Sequence, residues 1–154
     1  GWFEEPLPPD DLEGYARLTA VSPIPIAGGE VLTRRQAFQP WIERRAVDIL
    51  QPDVTKCGGL SEVRKIAWQA YDHHIQLVSH GWNTAVGVAA DLHLAAAMPV
   101  ALYVEFLTPA PYIDKIINNP FQLDEEGCLH VPSGPGLGIE LNRQALEEFS
   151  RERT

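Results

Sequence analysis

Short apolar runs recur along the chain at nearly even intervals, and each has the length and composition of a buried β-strand. The predicted strands are residues 1–5, 24–27, 47–51, 75–79 and 101–105. Stretches with apolar residues at helical spacing lie between them. A strand, a loop and a helix together occupy about one such interval, so the pattern predicts a βα repeat with parallel strands.

Capping residues mark the predicted helices. Asp10 or Asp11 can cap the first helix and Thr33 the second, because short polar side chains satisfy the free amides of a helix N-terminus. Two further helices are predicted over residues 61–73 and 84–97.

Proline and glycine become frequent after the fifth strand. Residues 128–141 are predicted to form an extended tail, and residues 143–150 a terminal helix. A complete eight-stranded barrel needs about 250 residues, so five βα units predict only part of a barrel. A doubly wound sheet gives a similar repeat, so this fold remains an alternative at this point.

The composition is that of an α/β domain in water. The chain has 154 residues, of which 45% are hydrophobic and 21% are charged, enough for a sizeable core. The 21 acidic residues exceed the 12 basic ones and give a net charge of −9, which argues against nucleic acids and anionic membranes as partners. No apolar run approaches the roughly 20 residues that span a bilayer, and no signal peptide is visible.

Sulfur-containing residues bear on the compartment and on the extent of the chain. Cys57 and Cys128 are 71 positions apart and lack metal-ligand spacing. This favours a reducing cytoplasm, with one disulfide left open as the alternative. The single methionine is Met98, and the chain begins with Gly1-Trp2, so we expect a fragment, a processed chain or a partly observed one.

One polar side chain follows each predicted strand. These residues are Glu4, Glu30, Asp53, His80 and Glu105, separated by 26, 23, 27 and 25 residues. In a parallel barrel the C-terminal ends of the strands share one rim, where active sites are built. Carboxylates and one imidazole on a shared rim indicate metal-assisted acid–base chemistry.

Glu4 and Glu30 are candidate ligands for Mg²⁺, because this hard cation prefers carboxylate oxygens. Glu30 follows Gly28-Gly29, and two glycines let the backbone turn sharply and aim a side chain into a cleft. The alternative for Glu4 is a solvated loop charge. The alternative for Glu30 is a helix N-terminal acid that the helix dipole favours.

Asp53 and His80 lie one repeat apart and therefore on adjacent strand ends. A carboxylate that binds one imidazole nitrogen fixes the tautomer and makes the other nitrogen a better base. The alternative for His80 is a structural or solvated role, which we assign to the other four histidines. Glu105 ends an apolar strand, where a buried carboxylate is costly unless it is hydrogen-bonded. Its alternative is a structural salt bridge.

Several short motifs carry a resemblance to a known family. They are Phe3-Glu4-Glu5-Pro6, Gly28-Gly29-Glu30, Gln51-Pro52-Asp53, Lys56-Cys57-Gly58-Gly59, Ser79-His80, Val104-Glu105-Phe106 and Gly134-Pro135-Gly136-Leu137-Gly138-Ile139. In order and spacing they resemble the enolase superfamily and, within it, the mandelate racemase subgroup of the mandelate racemase/muconate lactonizing enzyme family. The resemblance implies the C-terminal part of a modified (β/α)₇β barrel. Residues 1–127 would hold its fourth to eighth strands, and residues 128–154 a tail that returns toward an N-terminal capping domain.

The resemblance also implies roles for single residues. Glu4 and Glu30 match the second and third Mg²⁺ ligands, and Asp53 and His80 match a catalytic dyad. Glu105 matches the acid near the substrate carboxylate that helps to stabilise the enediolate.

Lys56 departs from the base positions of the family. A related subgroup uses a lysine base on this strand, at the position of Asp53, whereas Lys56 comes three residues later. We therefore expect Lys56 to neighbour the substrate and not to be the base. The capping domain, the second-strand lysine motif and the first metal ligand of the family have no counterpart in this sequence.

The function that the resemblance implies is Mg²⁺-dependent removal of the proton next to a carboxylate. We expect dehydration of an acid sugar by a cytoplasmic homo-oligomer. A racemase or epimerase of a 2-hydroxy acid is the first alternative, and it needs a second base on the opposite face of the substrate. A non-catalytic half-barrel, or a subunit completed by another chain, is the second.

Overall fold

Five short strands form one parallel sheet in the computed structural model, which describes residues 1–151. The strands are β1 (Phe3–Glu4), β2 (Ile26–Gly28), β3 (Ile49–Leu50), β4 (Gln76–Ser79) and β5 (Ala101–Val104). Their order across the sheet is their order in the chain, and every neighbouring pair is parallel. The predicted βα repeat is therefore confirmed, and the C-terminal ends of all five strands lie at the same end of the sheet.

Helices connect the strands and complete the chain. They are α1 (Leu12–Thr19), α2 (Arg34–Glu43), α3 (Leu60–Asp72), α4 (Ala85–Ala97), α5 (Pro111–Asp114) and α6 (Arg143–Arg151). None of the helices in the described part of the chain has the length and apolar character that a bilayer span requires.

The two predicted helix caps have different outcomes. Asp11 caps α1 as expected, because its Oδ1 accepts the amide of Gly14 at 2.8 Å. Thr33 precedes α2 but its side chain makes no capping hydrogen bond, so that part of the prediction is wrong. The amide of Arg34 donates instead to the carbonyl of Cys57 at 3.1 Å, which ties the start of α2 to the loop after β3.

The segment after β5 contains more structure than an extended tail. Helix α5 was not predicted, although Pro111 at its first turn is a typical start signal. Residues 117 and 141 form an antiparallel bridge, as do residues 123 and 129. Helix α6 agrees with the predicted terminal helix. The last three residues of the predicted 128–154 tail lie outside the described residues, and the boundary at 127 stays a prediction.

Three groups of buried apolar side chains hold the strand ends in place. The largest lies between the sheet and helices α1 to α4 and includes the predicted inward residues Phe38, Trp41, Ile42, Val63, Ile66, Ala67 and Ala70. A second group joins α4 to α5 and the tail. The third is small and lies on the opposite face of the sheet, where Ala27, Ile49 and Val78 contact Trp2. Alternate strand residues thus face opposite sides, as in a barrel wall.

Candidate active site

The C-terminal ends of the strands surround one open cavity. It has a volume of about 570 Å³, and its lining includes Glu4, Glu30, Lys56, His80 and Glu105. Gly81, Trp82, Phe106 and Leu107 complete the lining. Four of the five predicted strand-end residues therefore line one cavity. The fifth, Asp53, lies behind it with no exposed surface.

Asp53 and His80 form a hydrogen-bonded pair, as their spacing predicted. His80 Nδ1 lies 2.9 Å from Asp53 Oδ2. The other carboxylate oxygen accepts the amide of Thr55 at 2.7 Å and its hydroxyl at 2.6 Å. Thr55 was not singled out in the sequence; a short hydroxyl residue two positions after an aspartate is the signal that was available.

The contact between the two side chains lowers the pKa of Asp53 and raises that of His80, so both charged forms are favoured. Burial raises the pKa of Asp53, but hydrogen bonds from His80 and Thr55, with the charge of Lys56, outweigh it and hold the pKa well below its usual range. The pKa of His80 is raised above its usual value, first by the hydrogen bond to Asp53 and then, against the effect of burial, by the charge of Glu30. His80 therefore holds a proton more firmly than a free histidine does.

Glu30 and Lys56 extend this pair into a network. His80 Nε2, the nitrogen that faces the cavity, lies 3.1 Å from Glu30 Oε2. Lys56 Nζ lies 3.4 Å from Asp53 Oδ2 and 3.8 Å from Glu30 Oε1. Lys56 and His80 contact the same two carboxylates, so the two basic side chains of the cavity wall lie on the same side of it.

Glu4 is held by two donors on the strand ends. Its Oε2 accepts Trp2 Nε1 at 2.9 Å and Gln51 Nε2 at 2.7 Å. Gln51 is buried, and a buried amide at a strand end, one residue before Pro52, is a site residue that sequence reasoning missed. Glu5 adds a second carboxyl group next to Glu4. Its pKa is raised, first by burial and then by the charge of Glu30.

Glu105 lines the cavity from the end of β5, at the other edge of the sheet from Glu4. Its Oε2 accepts the backbone amide of Gly81, so this half-buried carboxylate is satisfied by the segment that follows His80. A Cβ at position 81 would lie 2.3 Å from the carbonyl oxygen of Glu105. The close approach of the two strand ends therefore requires glycine at this position.

Glu4 and Glu30 are chemically suited to Mg²⁺, since both offer carboxylate oxygens to one cavity from adjacent strands. Within residues 1–151 no group of three metal-ligating side chains is assembled. The described residues thus fit a hard cation with two oxygen donors, and a third donor would have to come from elsewhere.

Comparison with known proteins identifies the family. The family model described as enolase C-terminal domain-like matches residues 1–145. The chain belongs to this family. Its solved neighbours include a mandelate racemase/muconate lactonizing enzyme from Sulfitobacter sp., with a TM-score of 0.87 and 36% identity over 98% of this chain and 37% of that one. The enolase superfamily, the mandelate racemase/muconate lactonizing enzyme family and the C-terminal barrel fold are thereby confirmed; the subgroup stays a prediction.

Related proteins of this family act on acid sugars according to their names. D-galactarolactone cycloisomerase of Agrobacterium fabrum is 44% identical over 96% of this chain and 41% of its own length. Arabinonate dehydratase of Saccharolobus solfataricus is 36% identical over 96% of this chain and 39% of its own length. The 3,6-anhydro-D-galactonate cycloisomerase of Zobellia galactanivorans has a TM-score of 0.85 and 37% identity, covering 96% of this chain and 42% of that one. The chain thus spans about two fifths of the length of these relatives.

Proposed function

We propose that this chain carries the acid–base half of a Mg²⁺-dependent enzyme that removes the proton next to the carboxylate of an acid sugar. The proposal rests on one observation above all. His80 has one ring nitrogen bound to a buried carboxylate at 2.9 Å and the other directed at the cavity. That is the arrangement of a general base whose tautomer and orientation are fixed from behind.

Asp53 sets the proton state of His80 for this role. When the imidazole is neutral, Nδ1–H donates a hydrogen bond to Asp53, and Nε2 presents a lone pair to the cavity. After Nε2 has taken the substrate proton, the imidazolium is stabilised by the same carboxylate. Asp53 itself stays ionised throughout, because its pKa is held well below the working range.

The carboxylate of the substrate would lie at the rim beside Glu4 and Glu30, with Lys56 next to Glu30. Glu4 and Glu30 are the residues that would hold the cation. A bound Mg²⁺ would supply positive charge against the negative charge that develops on the substrate carboxylate. Lys56 adds a second positive charge within reach of Glu30, and Glu105 also lines the cavity.

Two outcomes of proton removal fit this site. In a dehydration, protonated His80 returns its proton to the hydroxyl on the neighbouring carbon, which leaves as water. In a cycloisomerisation, the bond between that carbon and a ring oxygen breaks instead. The oxygen remains bonded to the rest of the molecule, so no group is released. We favour dehydration. The relative named D-galactarolactone cycloisomerase supports cycloisomerisation as the second candidate. A racemase needs bases on opposite faces of the substrate, and Lys56 and His80 are not such a pair, because they lie on the same side of the cavity.

The proposal includes a cytoplasmic location and a homo-oligomeric state. Cys57 and Cys128 are both free thiols, and Cys128 is exposed, which suits a reducing compartment.

The decisive experiment follows exchange of the α-proton in deuterated water. The full-length protein is incubated with Mg²⁺ and a panel of galactonate, xylonate, arabinonate and galactarolactone, and exchange and elimination are measured by NMR. We expect His80→Asn to lower exchange by at least about 10²–10⁴-fold, whereas Lys56→Ala retains measurable exchange. His130→Asn is the matched control, since His130 is 86% exposed. A dead Lys56→Ala variant with an active His80→Asn variant would show that lysine is the base.

A further inference from the structure

A second buried carboxylate lies behind the dyad, in the middle of α4. Asp91 has no exposed surface, and neither of its oxygens has a hydrogen-bond partner among the described residues. A charge in such a place is costly unless it is paired. Burial is the main reason that the pKa of Asp91 is raised to about 7.

The side chain of Asn83 shares this buried space. Both its amide nitrogen and its amide oxygen are inaccessible and without a hydrogen-bond partner in the described structure. Positions 87 and 91 are four residues apart and lie on one face of α4, and Asn83, two residues before α4 begins, lies against Gly87. Gly87 leaves the room between them, since a Cβ there would lie 1.9 Å from Asn83 Oδ1.

A proton on the Asp91 carboxyl would give hydrogen-bond partners to all four unpartnered atoms, the two oxygens of Asp91 and the amide nitrogen and oxygen of Asn83. An ionised Asp91 offers only acceptors and leaves the Asn83 oxygen without a donor. A protonated Asp91 donates its O–H to Asn83 Oδ1 and accepts Asn83 Nδ2, which makes a reciprocal acid–amide pair. Ser79 and Asn83 are the polar side chains that act on the Asp91 carboxyl, where they lower its pKa against the larger, opposite effect of burial. Asn83 is therefore the amide with which a protonated Asp91 can pair.

The pair would fix the segment that carries the base. Ser79 directly precedes His80, and Asn83 ends the turn in which its amide donates to Gly81 at 2.8 Å. Gly81 is in turn bound by Glu105, and Gly81 and Trp82 line the cavity.

We propose that Asp91 is a positioning residue that works as a neutral carboxylic acid, pairs with Asn83 and thereby holds the segment from His80 to Asn83 against the cavity. This inference rests on the proposed role of His80. The titratable groups that act on the Asp91 carboxyl are Asp53 and His80 of the dyad and the buried thiol of Cys57. When Asp91 ionises, Asn83 loses its donor and the segment loses this anchor.

The test compares Asp91→Asn with Asp91→Leu in the full-length protein with Mg²⁺. Asparagine at 91 preserves the reciprocal pair and does not titrate, whereas leucine of similar size leaves Asn83 unpaired. With the acid sugar identified by the exchange panel, we expect the KM of the wild type to rise about tenfold between pH 6 and pH 8.5, equal to about 1.4 kcal/mol. The KM of Asp91→Asn stays level over this range, and that of Asp91→Leu is raised at every pH, with kcat changed much less.

Infrared difference spectra provide a readout that needs no turnover. Wild type minus Asp91→Asn should contain the carbonyl band of a protonated carboxylic acid at pH 6, which disappears as pH rises through about 7. Absence of this band at pH 6 overturns the protonated pair, whatever the role of His80. Presence of the band with an unchanged KM in Asp91→Leu, or in the wild-type pH series if that variant does not fold, overturns the positioning role. Loss of exchange in His80→Asn is independent of both results and tests the proposed function alone.

Discussion

Replacement of Asp53 by asparagine separates the charge of the dyad from its shape. Asp53→Asn keeps the size of the side chain and an oxygen that can still accept Nδ1–H of His80. It removes the negative charge that lies 2.9 Å from the imidazole. Because that contact is the largest cause of the raised pKa of His80, the variant should lower this pKa.

The burial of the pair decides how large the shift is. The side chain of Asp53 has no exposed surface and that of His80 is 9% exposed, so water screens the interaction weakly. A charge in hydrogen-bond contact shifts a pKa by about one to three units, each unit being about 1.4 kcal/mol. After the substitution, burial and Lys56 still lower the pKa of His80 and Glu30 still raises it, so we expect a net fall within that range.

The assay is the pH dependence of α-proton exchange in the full-length protein. A base must be unprotonated to accept the substrate proton, so exchange appears as pH rises through the pKa of His80. The acid limb of the profile should therefore move about one to three pH units lower in Asp53→Asn. The rate on the plateau should fall by about 10²–10⁴-fold, because the imidazolium is no longer stabilised, and this loss should be smaller than that in His80→Asn.

Thr55→Val is the matched control for this prediction. It removes the hydroxyl that donates to Asp53 at 2.6 Å but keeps the carboxylate charge and the backbone donor. The acid limb should move by much less than in Asp53→Asn. An acid limb that stays in place in Asp53→Asn, or that moves to higher pH, would show that the limb does not report a base paired with Asp53.

Two further predictions concern the metal and the isolated chain. Glu30→Gln should abolish turnover, because an amide is a weaker ligand for a hard cation than a carboxylate; full activity in excess chelator would contradict the assignment of Mg²⁺. Residues 1–154 expressed alone should be inactive and oligomeric or aggregated, since Phe3, Leu102 and Tyr103 on the edge strands are 54%, 44% and 63% exposed. Sedimentation decides this, and a folded monomer with dehydratase activity would refute it.

The parts of the site that the sequence predicted are those set by strand position. A polar residue that ends an apolar run must lie at the rim of a parallel sheet, whatever the details of packing. Glu4, Glu30, His80 and Glu105 were found in this way, and Asp53 followed from its spacing to His80. Their roles in catalysis and metal binding stay predictions, because position on a rim does not fix chemistry.

The contacts that the sequence did not predict depend on side-chain direction. Lys56 was expected only as a neighbour of the substrate, yet its four-carbon chain reaches two carboxylates of the network. Gln51 and Thr55 were missed, because small differences in loop geometry decide whether such side chains face a carboxylate. Asp91 was missed for another reason: a single acid in an alanine-rich helix is usually solvated, and only the contacts of α4 on several sides bury it.

The side chains of the site are more fully buried and hydrogen-bonded at the centre of the sheet than at its edges. The dyad comes from β3 and β4, which have neighbours on both sides, and its members are buried and satisfied. Glu4 and Glu105 come from the two outer strands, but the sheet curls enough that Trp2 and Tyr103, on opposite edges, have ring centroids 6.3 Å apart. This curvature brings both acids to one cavity without closing the wall. The proposed proton transfer therefore uses groups that this chain assembles by itself, whereas the proposed cation site needs, besides Glu30, Glu4 from an edge strand and a donor from elsewhere.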